Sequence, residues 1–532
     1  TCNCSVLKSL LFLKHLIPAK KLLSLKMLRT CFKPQIAKMC ASTAFDIKNV
    51  LIIGAGPTGI SAIKAFKKEN AFNNIRAYEK RADFGGLWNY VKPLISNETV
   101  QEAPLVNSSY RIKPIKTLSE QKYVFDSAVY KNLDTNVPKY LMEYNNYPFP
   151  ENTPLFPVRE TVLEYLKSFS KGYEEHVSFN TEVLDVVYDK ESKKYKAKIL
   201  EYPFLDQQKA TWDPVEYDSV VIASGNYDAP HIPNKEGIKE WFDKYENSII
   251  HSKNFDSPEQ FASIQGNILV VGNSASGSDI AFQLATMNNQ KIYQTARSES
   301  KMPAPKSSNI IVVKDIKRMN YEDKSITFED GFVLENVEKV IFCTGFLKSF
   351  PFLNKETIRP YVDFDNGRNV KVLYNHMIPV ELPTLAFIGL PRFVLPTRLS
   401  ETQAAWLSRV WNNRVDLPPK EIQQQYHEWF VNENNDDATL HDLVFPADVQ
   451  YSQRLNREIR QARKANRGYF GLEWNGSNIK LRSSIKPLKE GYVKYYQETG
   501  KLANTVEELI DAGFFEWPED ATTCVQVPTQ VP

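Results

Sequence analysis

An α/β protein with two dinucleotide-binding domains, the second inserted into a discontinuous first, is the fold class that this 532-residue sequence predicts. Three observations predict it. Two apolar strands each run into a glycine-rich turn that opens a helix, and the strands that follow the two turns end in opposite charges. Two further apolar runs closing in small residues, Tyr217 to Ala223-Ser224-Gly225 and Val337 to Cys343-Thr344-Gly345, bracket the second turn.

The first turn reads Val50-Leu-Ile-Ile53-Gly54-Ala55-Gly56-Pro57-Thr58-Gly59, with helix-compatible residues from Ile60 onward. Glycine lets the backbone turn tightly and approach a pyrophosphate, which sits on the free N–H groups and positive dipole end of the following helix. A lone G-x-G-x-x-G also marks ordinary turns, so its context carries the weight. Here the next strand, Ile75-Arg-Ala-Tyr-Glu79, ends in a carboxylate placed to accept hydrogen bonds from ribose hydroxyls and to repel a 2′-phosphate, which suits FAD or NAD.

The second turn reads Ile268-Leu-Val-Val271-Gly272-Asn-Ser274-Ala-Ser276-Gly277-Ser278-Asp279, continuing as a helix. Its next strand, Lys291 to Thr295-Ala-Arg297, ends in a guanidinium that can fork onto phosphate oxygens, which favours NADP. A solvated strand-end charge is the plain alternative for Arg297. The run Gly272-Asn-Ser274-Ala-Ser276 also approaches the G-x-S-x-G elbow of hydrolases, but serine stands at its fifth position and Gly277 fits dinucleotide spacing better. Both units read as Rossmann-like.

Along the rest of the chain, residues 90–150 are rich in Asn, Tyr and Pro and read as a long loop excursion. Val162, Tyr165, Leu166 and Phe169 fall at helical spacing after Pro157. Short strands are expected around Val177–Asn180, Val183–Tyr188 and Tyr195–Leu200, and helices over Glu401–Trp411 and Pro419–Asn432. The expected organisation is a leader over 1–45, a first part of an FAD domain over 46–225, an NADP domain over 226–344, and the second part of the FAD domain with a helical C-terminal region over 345–532.

With 42% hydrophobic and 24% charged residues the chain has the composition of a globular protein, and a net charge of +3 with no interleaving of aromatic and basic clusters argues against nucleic acid. The six cysteines, Cys2, Cys4, Cys31, Cys40, Cys343 and Cys524, form no C-x-x-C, and the seven histidines no H-x-x-x-H, so neither a metal site nor a dithiol-disulfide reductase is expected. Residues 1–45 carry eight Lys or Arg and no Asp or Glu, in a pattern too interrupted for a membrane span. They read as a transit peptide, a surface-lying amphipathic segment, or sequence that precedes a start at Met39 and takes no part in the chemistry.

Set beside the two turns, other landmarks resemble the flavin-containing monooxygenases of class B, nearer to fungal and plant members than to vertebrate ones. Gly85-Gly86-Leu87-Trp88 resembles the family's flavin-binding G-G-x-W. His251 and Phe255 agree with its identifying segment, although Tyr245 and Asn247 depart from the usual phenylalanine and glycine. Phe342-Cys343-Thr344-Gly345-Phe346 resembles its linker motif, Thr135-Asn136-Val137-Pro138 the stretch with an asparagine at the flavin, and Glu401 to Trp406 a late helix. Without the family, residues 135–138 would be a loop turn.

The resemblance implies FAD and NADPH as cofactors. NADPH would reduce FAD, oxygen would add at the flavin C4a, and the hydroperoxide would oxygenate a soft nitrogen or sulfur of a small amine or thiol, the cofactor supplying the hard chemistry. It places Asn136 nearest the oxygen chemistry. It places Gly54, Ala55, Gly56, Pro57, Thr58, Gly59, Glu79, Gly86, Leu87, Trp88, Thr135, Asn136 and Val137 at FAD, and Ser274, Ser276, Gly277, Ser278, Asp279 and Arg297 at NADP. A Baeyer-Villiger monooxygenase, whose identifying segment commonly ends in tryptophan where this one has Phe255, and a non-catalytic dinucleotide-binding protein are the alternatives. The expected location is cytoplasmic or peripheral on the endoplasmic reticulum surface, with mitochondrial targeting by the leader as a second reading. The residues do not fix the oligomeric state, and a homodimer is carried as an expectation.

Overall fold

A computed structural model describes residues 44–92, 100, 102–117, 123–202, 210–300, 302–303, 305–434 and 439–527. The basic leader lies outside the described residues apart from its last two positions.

The elements that carry the site are β1 (Asn49–Ile53), α1 (Pro57–Glu69), β2 (Asn74–Tyr78), α2 (Arg159–Ser170), β3 (Val177–Ser178) and β4 (Ser219–Ile222). Next come β5 (Ala229–Pro230), β6 (Ile249–His251), β7 (Asn267–Val271), α3 (Ala275–Met287), β8 (Ile292–Thr295), β9 (Ile310–Val313), β10 (Val337–Phe342) and β11 (Phe346–Leu347). The remainder holds β12 (Leu385–Phe387), α4 (Pro396–Trp411), α5 (Lys420–Asn434), α6 (Ala447–Gln461), α7 (Gly476–Ser483), α8 (Ile485–Thr499) and α9 (Val506–Asp511).

Two five-stranded parallel sheets result, ordered β12-β4-β1-β2-β3 and β6-β10-β7-β8-β9. Both share one plan: the strand before the glycine turn lies between the next strand on one side and a later strand on the other. That is the topological switch point, where a ligand binds beyond the carboxyl ends of the strands. The apolar runs are continuous because both faces are covered. In β1, Val50 and Ile52 pack with Ala62, Phe66, Trp406 and Trp411, whereas Leu51 and Ile53 pack with Tyr195, Val220 and Phe350 on the opposite face. In β7, Ile268 and Val270 meet Ile280 and Leu284 of α3, while Leu269 and Val271 face Trp241, Ile316 and Phe328.

The chain passes from one sheet to the other twice, and the two passages pair. β5 is antiparallel to β11, and His231 N donates to Gly345 O at 3.0 Å. The late helices cover the excursion: Leu481, Ile485, Leu488, Tyr492, Val506 and Leu509 share a buried cluster with Leu141, Leu155 and Phe156. Among the described residues no helix is long and apolar enough to cross a membrane.

Candidate functional site

The two turns are built alike. Gly54 and Gly272 hold φ of +101° and +110°, and a Cβ on either would stand 2.6 Å from Ala223 O or 2.8 Å from Cys343 O, the carbonyls just past β4 and β10. A Cβ on Gly59 would stand 2.0 Å from Gly54 O, and one on Gly277 2.1 Å from Gly272 O. Each turn therefore folds tightly onto the first turn of its own helix, and neither helix has a side-chain cap on its opening N–H groups. Uncapped N–H groups beside a positive dipole end suit a pyrophosphate.

At the first turn, Glu79 is buried and its carboxylate accepts from Ala55 N at 2.7 Å and Arg81 N at 2.9 Å. An ionised carboxylate offers roughly four acceptor positions, so it can still receive ribose hydroxyls. Gly85 N donates to Ala55 O at 3.3 Å, which brings the Gly86–Trp88 turn onto the first one. The two backbones are so close that a Cβ on Gly86 would lie 2.9 Å from Gly56 Cα. This glycine-lined cradle has backbone where side chains would otherwise stand and could hold a dinucleotide pyrophosphate. Thr58 Oγ1 donates to Ala223 O at 3.3 Å, and Pro57 O accepts from Tyr144 OH at 3.0 Å, which anchors both rims. Leu87 and Trp88 are half-buried, with Leu87 O accepting from Ser127 Oγ.

One contributor escapes sequence reasoning. Gly389, just past β12, lies against Thr58, its N–H donates to Gln403 Oε1 and its carbonyl accepts from Asn226 Nδ2, both at 2.9 Å. The apolar run Leu385-Ala-Phe-Ile-Gly389 ends like the other two small-residue strands, and that was the available signal.

At the second turn, Ser274 is exposed, Ser276 is half-exposed, and Gly272 N donates to Thr295 Oγ1 at 2.9 Å. Asn273 Nδ2 donates to Ser298 O at 2.7 Å, drawing the Arg297 loop beside the turn. Arg297 is exposed and forms no ion pair among the described residues, so its guanidinium is available to an added phosphate. Ser278 and Asp279 are instead spent on the protein. Ser278 Oγ donates to Asn273 O at 2.9 Å, and the Asp279 carboxylate accepts from Tyr130 OH and from Gln283 Nε2 at 3.0 Å. Burial, with Asp134 nearby, pushes the Asp279 carboxyl up to about 6.

Segment 127–136 joins the two turns. It begins with Ser127 on Leu87, passes Tyr130 on Asp279 and Asn132 O on Gln283 Nε2 at 3.3 Å, and ends at half-buried Asn136. Phe255 supports it edge-on to Tyr130, with ring centroids 5.3 Å apart. Thr135 N donates to Pro157 O and Thr135 Oγ1 to Val137 O, both at 2.9 Å, so the turn around Asn136 is fixed locally. His251 sits at the passage between the sheets. Its Nδ1 accepts from Lys253 N at 3.1 Å, leaving Nε2 to donate to Gly345 O at 2.9 Å, and burial holds the ring neutral, with its pKa down at about 3.

Comparison with known proteins agrees with this geometry. The flavin-binding monooxygenase-like family model matches residues 106–303 and 299–443. A thiol-specific monooxygenase of Saccharomyces cerevisiae is 32% identical over 455 residues, 84% of this chain and 94% of its own. Flavin-containing monooxygenase FMO GS-OX5 of Arabidopsis thaliana is 30% identical over 72% of this chain and 77% of its own. The solved structure of S-allyl-L-cysteine S-oxygenase from Allium sativum superposes with a TM-score of 0.67 at 25% identity, covering 88% of this chain and 98% of that one. Two glycine cradles on paired parallel sheets, matched across most of the chain, make this protein a member of the flavin-binding monooxygenase-like family, a flavin-dependent enzyme.

Proposed function

We propose that the protein is an NADPH- and oxygen-dependent monooxygenase that oxygenates the soft sulfur or nitrogen of small molecules, with thiols as the favoured substrates. The observation that carries the reading is the segment 127–136, which ties the first glycine cradle to the helix of the second and ends in Asn136. Sulfur is favoured because two of the similar proteins are named for thiol or S-oxygenation.

In this reading Gly54, Ala55, Gly56, Pro57, Thr58, Gly59 and Glu79 hold the ADP half of FAD, and Gly86, Leu87, Trp88, Thr135 and Val137 line its reactive end. Ser274, Ser276, Gly277 and Arg297 hold NADPH, while Ser278 and Asp279 brace the helix that does so. FAD, when bound, supplies the oxygen activation and NADPH the reducing equivalents. The protein must bind both, exclude water, and present groups that do not discharge the activated oxygen with a proton. Asn136 meets the last of these demands, since its amide donates and accepts hydrogen bonds yet has no easily lost proton.

Turnover is the measurement that decides. Purified holoprotein in air with NADPH, given glutathione, cysteamine or dimethylaniline in turn, is expected to consume one oxygen per NADPH and to oxidise the thiols faster than the amine. Amine oxidation alone would reverse the substrate preference. Conversion of a ketone to an ester would replace the reading with Baeyer-Villiger chemistry, and absence of NADPH-dependent oxygen uptake would overturn it.

A further inference from the structure

We propose that Lys489, on the late helix α8, is a positioning residue for Asn136. Its ammonium is buried, with the residue only 3% exposed. It donates to Asp134 Oδ2 at 2.6 Å and to Thr135 O at 3.0 Å. The rings of Phe156 and Tyr492 stand 4.6 and 5.2 Å from Nζ, so its remaining sides face aromatic surface. α8 itself is fixed by Ile485, Leu488 and Tyr492 in the cluster that also holds Leu155 and Phe156.

The Thr135 carbonyl and the Asn136 N–H belong to one planar peptide unit and point in opposite directions. Pinning the oxygen therefore aims the N–H away from the ammonium, and a cation on the carbonyl strengthens that N–H as a donor. The rest of the turn is already committed, Thr135 N to Pro157 O and Thr135 Oγ1 to Val137 O. Among the described residues, the backbone N–H and the side-chain amide of Asn136 have no hydrogen-bond partner, and they are what the turn presents. Lys489 also neutralises Asp134, the carboxylate whose charge bears on Asp279, so the Asn136 turn is held from the late helices on one side and from α3 on the other.

This inference rests on the assignment of Asn136 to the oxygen chemistry, and the experiment separates the two. FAD content, the anaerobic rate of flavin reduction by NADPH, and product and hydrogen peroxide formed per NADPH are measured for wild type, Lys489→Met, Asn136→Ala and the double variant. Lys489→Met is expected to keep FAD and its reduction rate within about twofold while product per NADPH falls about fivefold or more, the balance appearing as hydrogen peroxide. The double variant is expected to lose less coupling than the two single losses added together, because Lys489 holds the turn that presents the Asn136 side chain, while alanine keeps the backbone N–H that Lys489 also aims. Normal coupling in Lys489→Met, additive losses in the double variant, or a parallel loss of flavin reduction would overturn the proposal. Normal coupling in Asn136→Ala would sink the assignment of Asn136 itself. Should Lys489→Met fail to fold because the half-exposed Asp134 is left without its partner, Asp134→Asn/Lys489→Met removes both charges together and is read in the same way.

Discussion

Arg297 illustrates what a single side chain contributes here. It stands two residues past β8, exposed, on a loop that Asn273 holds against the second turn. In the proposed reading a guanidinium there would take a 2′-phosphate by paired hydrogen bonds and would have little to offer a ribose lacking it. Arg297→Ala is expected to raise the KM for NADPH by about tenfold or more and to leave that for NADH nearly unchanged, which steady-state kinetics with the two nucleotides would check. Equal effects on both would assign the residue to the solvated surface. Glu79 and Arg297 could be read from the sequence because each follows a motif at a fixed offset. Tyr130–Asp279 and Lys489–Asp134 could not, since they join residues 149 and 355 positions apart and no periodicity marks them. Asn136 lies between these cases, because Thr-Asn-Val-Pro spells a turn and only resemblance to a family gives it chemistry.

Among the elements, the two strand–turn–helix units are the same device used twice, and their glycines allow each to be disabled alone. A Cβ at Gly59 or Gly277 would meet backbone, at 2.0 and 2.1 Å, and backbone cannot swing aside as a side chain can. Gly59→Ala is expected to yield protein without bound flavin, or too little folded protein to measure. Gly277→Ala is expected to stay yellow, with NADPH affinity weakened about tenfold or more. Flavin absorbance and NADPH titration distinguish these results, and loss of flavin from Gly277→Ala would show that the two units do not act independently. Strands and helices were the most legible part of the sequence: the runs before Gly54, Gly225, Gly272 and Gly345 are buried on both faces and so read as unbroken apolar stretches. The late helices α7 to α9 were less legible, because the surface they cover is made of irregular residues 137–156, which carry no repeating pattern of their own.

Over the whole molecule, burial of titratable groups sets a pH window. His251, His376 and His441 are buried and neutral, with burial pushing the first two down to about 3 and the third well below its ordinary value. An unfolded histidine binds a proton near pH 6.5 that these cannot, so their contribution is present above that pH and lost as pH falls toward 3. At pH 5, His251 and His376 should each remove about 2 kcal/mol. Burial acts oppositely on Glu401, pushed up to about 7 while Tyr469 OH, Leu472 N and Asn145 N hydrogen-bond to it. Its contribution is complete below about 4.5 and lost as pH rises through about 7. Because the histidines together take up more protons on unfolding than Glu401 releases, thermal midpoints are expected to rise from acid pH to about pH 7 and level off there, with Glu401→Gln steepening the rise between about pH 5 and 7 and sparing the acid limb. A midpoint that rises steadily to pH 8 would contradict this account. The burial of these groups was silent in the sequence: His251 and Glu401 stood out only through the resemblance to a family, and His376 and His441 carried no signal.

The antiparallel pairing of β5 with β11 has a mechanical consequence. Both covalent links between the sheets run side by side through one two-stranded ribbon, bonded to each other and steadied by the neutral His251 ring on Gly345. Two separated links would resist relative rotation like a pair of door hinges set out of line, whereas two adjacent ones form a single spine. Any relative rotation of the two sheets would turn about that one ribbon, as the covers of a book turn about its binding.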